Sequence, residues 1–177
     1  KIEDYLMLGS SFDGRYPFFI GTSTMLIRCK NQFSKLSKVD SIRHTKSSPK
    51  RHEELMNTLE IYFSGRKQMY ENFEKMRTVK VDARILEKAQ NYILSMTSED
   101  RLDGNVSTRK LNQLEALNSD ILSEMGDLGD NLWGLFNGVT KYTTHSVTQK
   151  EDVFGNVFGT KATLNNKVYE FATELIY

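Results

Sequence analysis

An α+β fold is predicted, with an antiparallel hairpin or sheet packed on a long amphipathic helix and a helical C-terminal half. Three observations carry it. Apolar, β-prone runs flank the turn signal Asp13-Gly14 near the start. A long stretch after Pro49 repeats its apolar residues at spacings of three and four. Three or four further helical patterns, separated by capping residues and glycines, follow it.

The hairpin comes first. Tyr5 to Leu8 is a short apolar run, and Tyr16 to Arg28 holds Phe18, Phe19, Ile20, Thr22, Thr24, Leu26 and Ile27. These are residues that suit a pleated, half-buried surface. Pro17 lacks an N–H and belongs at a strand start or edge, and Gly21 marks a possible bulge site. Asn31 to Val39 is expected to hold a short helix, with Phe33 and Leu36 three apart. Ser41 to Pro49 is polar and basic and reads as an extended arm or loop.

Ser48 and Pro49 then suit the cap and first turn of a helix. From Lys50 to about Arg77, Leu55, Leu59, Tyr62, Met69, Phe73 and Met76 form one stripe, with a possible kink at Ser64-Gly65. Asp82 is expected to cap a second helix, Ala83 to Met96, with Ile85, Leu86, Ala89, Tyr92 and Ile93 inward. Thr97 to Asn105 reads as a polar loop. Ser107 caps a third helix with the stripe Leu111, Leu114, Leu117, Ile121 and Leu122, ending at Gly126 as C-cap. Asp130 caps a fourth, apolar on much of its circumference through Leu132, Trp133, Leu135, Phe136, Val139 and Tyr142, and therefore largely buried. Gly134 and Gly138, four apart, let another element approach that helix closely. Gly155-Asn156 reads as a hairpin or tight loop, and Leu164 to Tyr177 as a last helix.

The whole of 1–177 is read as a single domain. It divides into a strand hairpin with a basic arm (1–50), a helical core (51–146) and a hairpin or loop with a terminal helix (147–177). The chain begins without Met and almost directly in a strand pattern, so it is expected to be an excerpt of a longer protein.

Composition excludes several classes. One cysteine rules out an internal disulfide and a multi-cysteine zinc site. No apolar run approaches the roughly 18 residues that a membrane span needs. The net charge of +1 gives no whole-molecule attraction to nucleic acid. Charge is instead segregated along the chain. Between Arg28 and Arg51, eight cations less one carboxylate, Asp40, leave a local charge of +7. Between Glu99 and Asp130, eight acidic residues face three basic ones.

The basic strip is the leading candidate site. Arg28, Lys30, Lys35, Lys38, Arg43, His44, Lys46, Lys50 and Arg51 are expected to neutralise phosphates, and Phe33 to stack a base. The alternative is a solvated loop, neutralised in part by the acidic stretch of the same chain. Cys29, between Arg28 and Lys30, has the cationic neighbours that lower a thiol pKa, but a strand cysteine is more often a buried small hydrophobe. Asn137, Lys141 and His145 share a helical face that can be considered for a ligand or a metal. No carboxylate pair, metal cluster or nucleophile–base pair stands out, so neither catalysis nor a cofactor is expected.

Phe12-Asp13-Gly14, then Leu26-Ile27-Arg28-Cys29-Lys30-Asn31, then Ser41-Ile42-Arg43-His44-Thr45 precede the long helix. Leu132-Trp133-Gly134-Leu135-Phe136-Asn137-Gly138-Val139-Thr140 follows, closing on Tyr142 and His145. In order and spacing these resemble the phage- and plasmid-encoded proteins of the family labelled domain of unknown function 932, over roughly Tyr5 to His145. Phe12 departs from the polar residue, often His, that the family pattern carries before Asp-Gly, which removes support for chemistry at that turn. The resemblance implies a mobile-element protein without a settled activity. At the level of fold the arrangement is also similar to phage single-strand annealing proteins.

The expected function is therefore non-enzymatic binding of single-stranded DNA in phage or plasmid recombination or replication, in the host cytoplasm, with possible homo-oligomers. The alternative is a virion or protein-interaction component, in which the basic pole of one copy meets the acidic stretch of the next.

Overall fold

A computed structural model describes residues 65–100, 106–146 and 159–177 in full, and the backbone of 2–9, 18–26, 31–35, 41–42 and 101–102. The chain forms two units, Lys1–Glu71 with Glu151–Ala162, and Asn72–Lys150 with Thr163–Tyr177.

In the first unit the backbone forms strands β1 (Ile2–Gly9), β2 (Phe18–Leu26), β3 (Asn31–Lys35) and β4 (Ser41–Ile42). β1 runs antiparallel along β2, with Ile2 opposite Leu26 and Gly9 opposite Phe19. β3 and β4 take the other edge of β2, with Asn31 opposite Leu26 and Ser41 opposite Phe19. Asn31–Lys35 is thus a ladder strand rather than the start of the expected short helix. The single Phe33–Leu36 spacing is too short a signal to specify a helix when an open strand edge offers backbone partners. The turn at Asp13-Gly14, the helix before Gly65 and the Gly155-Asn156 turn lie outside the described residues.

The second unit is helical. α1 covers residues 65–78 among those described. It leads into this unit with Phe73 and Met76 buried, as the stripe predicts. α2 (Ala83–Leu94) starts where Asp82 Oδ1 accepts the Ile85 N–H at 2.7 Å. It ends at Ser95, held in the left-handed region with φ 50°. The expected loop at Thr97 contains a helical turn, α3 (Ser98–Leu102). A reciprocal cap sets it, because Thr97 N–H donates to Asp100 Oδ2 at 2.7 Å while Asp100 N–H donates to Thr97 Oγ1 at 3.0 Å. The first of these bonds is the main cause that holds the Asp100 carboxyl below the ordinary carboxylate pKa.

α4 (Thr108–Leu128) is capped by Ser107, as expected. It does not stop at Gly126 but continues to Gly129, whose φ of 104° only glycine adopts freely. α5 (Leu132–Lys141) is capped by Asn131 rather than Asp130, with Asn131 Oδ1 accepting the Gly134 N–H at 3.0 Å. Asp130 instead offers its carbonyl to the Val81 N–H at 3.1 Å, and the Leu132 N–H donates to Val79 O at 3.0 Å. These two bonds tie the α1–α2 and α4–α5 corners together across a Lys80–Asn131 bridge. A π-helical turn, Tyr142–Ser146, follows α5, and α6 (Thr160–Ile176) closes the chain, starting before the expected Leu164.

The core is helix on helix. Residues Leu132 through Thr140 of α5 are all buried. Phe73 packs against Trp133 and Phe136 in tilted ring contacts at centroid distances of 4.9 and 5.4 Å. Leu117 and Ile121 of α4 and Val168 and Ala172 of α6 are also fully enclosed. The closest approach is between α4 and α5. A Cβ added at Gly138 meets the Ile121 backbone, and one at Gly134 meets the Gly129 carbonyl oxygen and lies 3.1 Å from Met125 Cα.

The α+β fold class is therefore corrected to a helical fold. Among the residues described in full there is no strand and no sheet, and the helices of the second unit pack on one another. The reason is α5: apolar on nearly its whole circumference, it takes helices as its neighbours within this unit. Not every predicted inward residue is inside. Tyr92, Leu111 and Leu122 are 43%, 49% and 51% exposed.

Candidate functional site

Of the predicted basic strip, the structure describes the backbone at Phe33 and Lys35 alone. Both lie in β3, paired in register with Thr24 and Thr22 of β2. Arg28, Lys30, Lys38, Arg43, His44, Lys46, Lys50 and Arg51 lie outside the described residues, as does Cys29.

The α5 face of Asn137, Lys141 and His145 is not brought together as a ligand site. Asn137 is buried, and its Nδ2 donates to Trp133 O at 2.8 Å. Lys141 Nζ donates to Ser123 Oγ at 2.8 Å and pairs with Glu124 Oε1 at 3.2 Å. Glu124 is a buried carboxylate, only 4% exposed, so this ion pair belongs to the α4–α5 packing. His145 is exposed. One position further on, Ser146 Oγ donates to Asp120 Oδ2 at 2.6 Å. Burial, with a smaller effect of the Asp120 charge, pushes the Tyr142 phenol above its ordinary pKa. Among the described residues no group of three or more His, Cys, Asp or Glu is placed to hold a metal.

A different cluster forms where α2, α4 and α6 meet. Ser95, past the end of α2, receives two lysines. Lys110 of α4 donates to its carbonyl at 2.9 Å, and Lys167 of α6 donates to its hydroxyl at 3.0 Å. Lys167 Nζ also lies 5.6 Å from the centroid of the Tyr92 ring. Phe171, one turn beyond Lys167, stacks on that ring at 6.0 Å with an interplanar angle of 29°. Sequence reasoning missed this group and assigned Tyr92 to the core. Its members come from three helices, and no local motif joins them. The one available signal was that Lys167 and Phe171 are four apart, hence on one side of α6.

The fold and this surface define a helical domain bearing a cationic, aromatic patch. The family model described as "Domain of unknown function (DUF932)" matches residues 1–168, and the chain belongs to that family. No curated protein and no solved structure matches the chain. Among the described residues no helix is long and apolar enough to cross a membrane.

Proposed function

We propose that the protein is encoded by a phage or plasmid and binds DNA, favouring single strands, in recombination or replication. The observation that carries the reading is the charge of the Arg28–Arg51 stretch, where eight cations stand against one carboxylate. Lys and Arg at that density neutralise phosphates and release counterions, a sequence-independent source of affinity. Phe33, in the same stretch, supplies a ring on which an unpaired base can stack. Fluorescence anisotropy with a labelled single-stranded oligonucleotide tests the reading. With six phosphates engaged, log affinity falls with log salt at a slope of about −4. Binding that is absent or indifferent to salt rejects it.

A second reading is self-association, and the acidic stretch favours it. Glu99, Asp100, Glu115, Asp127 and Asp130 are not buried. A head-to-tail contact between this surface and the basic stretch of another copy generates rings or filaments. Light scattering of the protein without DNA, at low and high salt, distinguishes this reading from the first.

A further inference from the structure

We infer that Lys110, Lys167, Ser95 and Tyr92 form a second contact for a single DNA strand, on the helical unit and separate in sequence from the basic strip. The two lysines take a backbone phosphate, and the exposed part of the Tyr92 ring takes an unpaired base. The inference rests on the DNA-binding reading above.

The first argument is charge. Two ammonium groups reach oxygens of one residue, at 2.9 and 3.0 Å, so like charges are gathered in a small space. Neither pairs with a carboxylate among the described residues. Asp100 acts on Lys110 only from a distance, and its carboxylate is already engaged by Thr97. Each ammonium has three donors and uses one on Ser95, which leaves donors for an anion. Capping of a helix end explains part of this arrangement, since Lys110 meets the Ser95 carbonyl. It does not explain Lys167, which meets the hydroxyl.

The second argument is the ring. Tyr92 is held by Phe171 and Lys167 of α6, yet it remains 43% exposed. An exposed aromatic ring beside two cations that have no carboxylate partner among the described residues is the combination by which proteins bind single strands without reading sequence. The positive φ of Ser95, uncommon for a residue with a Cβ, fixes the point on which the lysines converge. An acidic peptide has use for the charges but none for the exposed ring, so a nucleic acid is the better fit.

The test uses the full chain and labelled oligo-dT in anisotropy titrations. Tyr92→Leu weakens binding roughly tenfold, while Tyr92→Phe, which keeps the stack, does not. Lys110→Gln with Lys167→Gln reduces the salt slope by about 0.7 for the phosphate lost. Irradiation of the wild type on an oligonucleotide containing 5-iodouracil yields a crosslink at Tyr92, a readout that needs no variant to fold. If these variants bind like the wild type and no crosslink maps to Tyr92, while Arg28→Gln with Arg43→Gln loses affinity, this site is rejected and the strip stands. Displacement of the oligonucleotide by polyglutamate, with no crosslink at Tyr92, rejects it in favour of an acidic partner. A wild type that does not bind at all removes both proposals.

Discussion

Gly138 of α5 lies directly against the backbone of Ile121 in α4, with no room between them for a methyl group. Gly138→Ala therefore forces the two helices apart and costs roughly 1–3 kcal/mol, read as a lower melting temperature. Gly126 provides the contrast. It sits inside α4, and a methyl group there would have nothing within 4 Å of it. Gly126→Ala raises stability by about 0.5–1 kcal/mol, because it removes freedom from the unfolded chain alone. If both variants melt alike, the close crossing is not what fixes this pair.

The Lys141–Glu124 pair has one enclosed partner and one partly wet one, with side-chain exposures of 5% for Glu124 and 27% for Lys141. Lys141→Met strands the carboxylate and costs roughly 2 kcal/mol, below the usual range for buried pairs because Lys141 is partly solvated. Adding Glu124→Gln restores most of that loss, since the uncompensated charge disappears. A denaturant-unfolding double-mutant cycle measures the coupling, and strictly additive losses reject it.

Two phenols set an alkaline limit. Burial pushes both Tyr142 and Tyr169 above the ordinary value of 10.0, with the Asp120 charge adding at Tyr142. At Tyr169 the hydrogen bond from Asn72 partly opposes the burial effect. In the unfolded chain the same phenols ionise near 10.0. The folded state thus holds more protons there, and stability is intact below that pH and falls as pH rises through the folded values. Melting temperatures from pH 8 to 11 follow that decline, and Tyr142→Phe flattens it.

The basic strip makes a prediction of its own. Arg43→Gln with Lys46→Gln weakens single-strand binding by a similar factor on every sequence tried and makes the salt slope shallower by about 1.4. A loss confined to particular sequences points instead to base contacts.

What could be read from the chain depended on how local the signal was. α5 was legible because its own residues are apolar all round, and its two glycines four apart announced a close neighbour. Asp82 and Ser107 were legible as caps because each immediately precedes a periodic run. Periodicity could not decide which glycine near the end of α4 takes the positive φ, so Gly126 was preferred where Gly129 serves. The choice of Asn131 over Asp130 depends on Asp130 being held by Val81, a partner almost fifty positions earlier. The inward stripe was drawn too wide at Tyr92, Leu111 and Leu122, because spacing locates a face but not its edges. The meeting of Lys110, Lys167 and Tyr92 requires three helices in their final places, which no local pattern encodes.

The pair of main-chain bonds from Val81 to Asp130 and from Leu132 to Val79 has a dynamic implication. The turn between α1 and α2 is latched to the turn between α4 and α5, so neither corner can fray while the other stays closed. The amide protons of Val81 and Leu132 should exchange with solvent together, at the rate of the slowest opening of this unit.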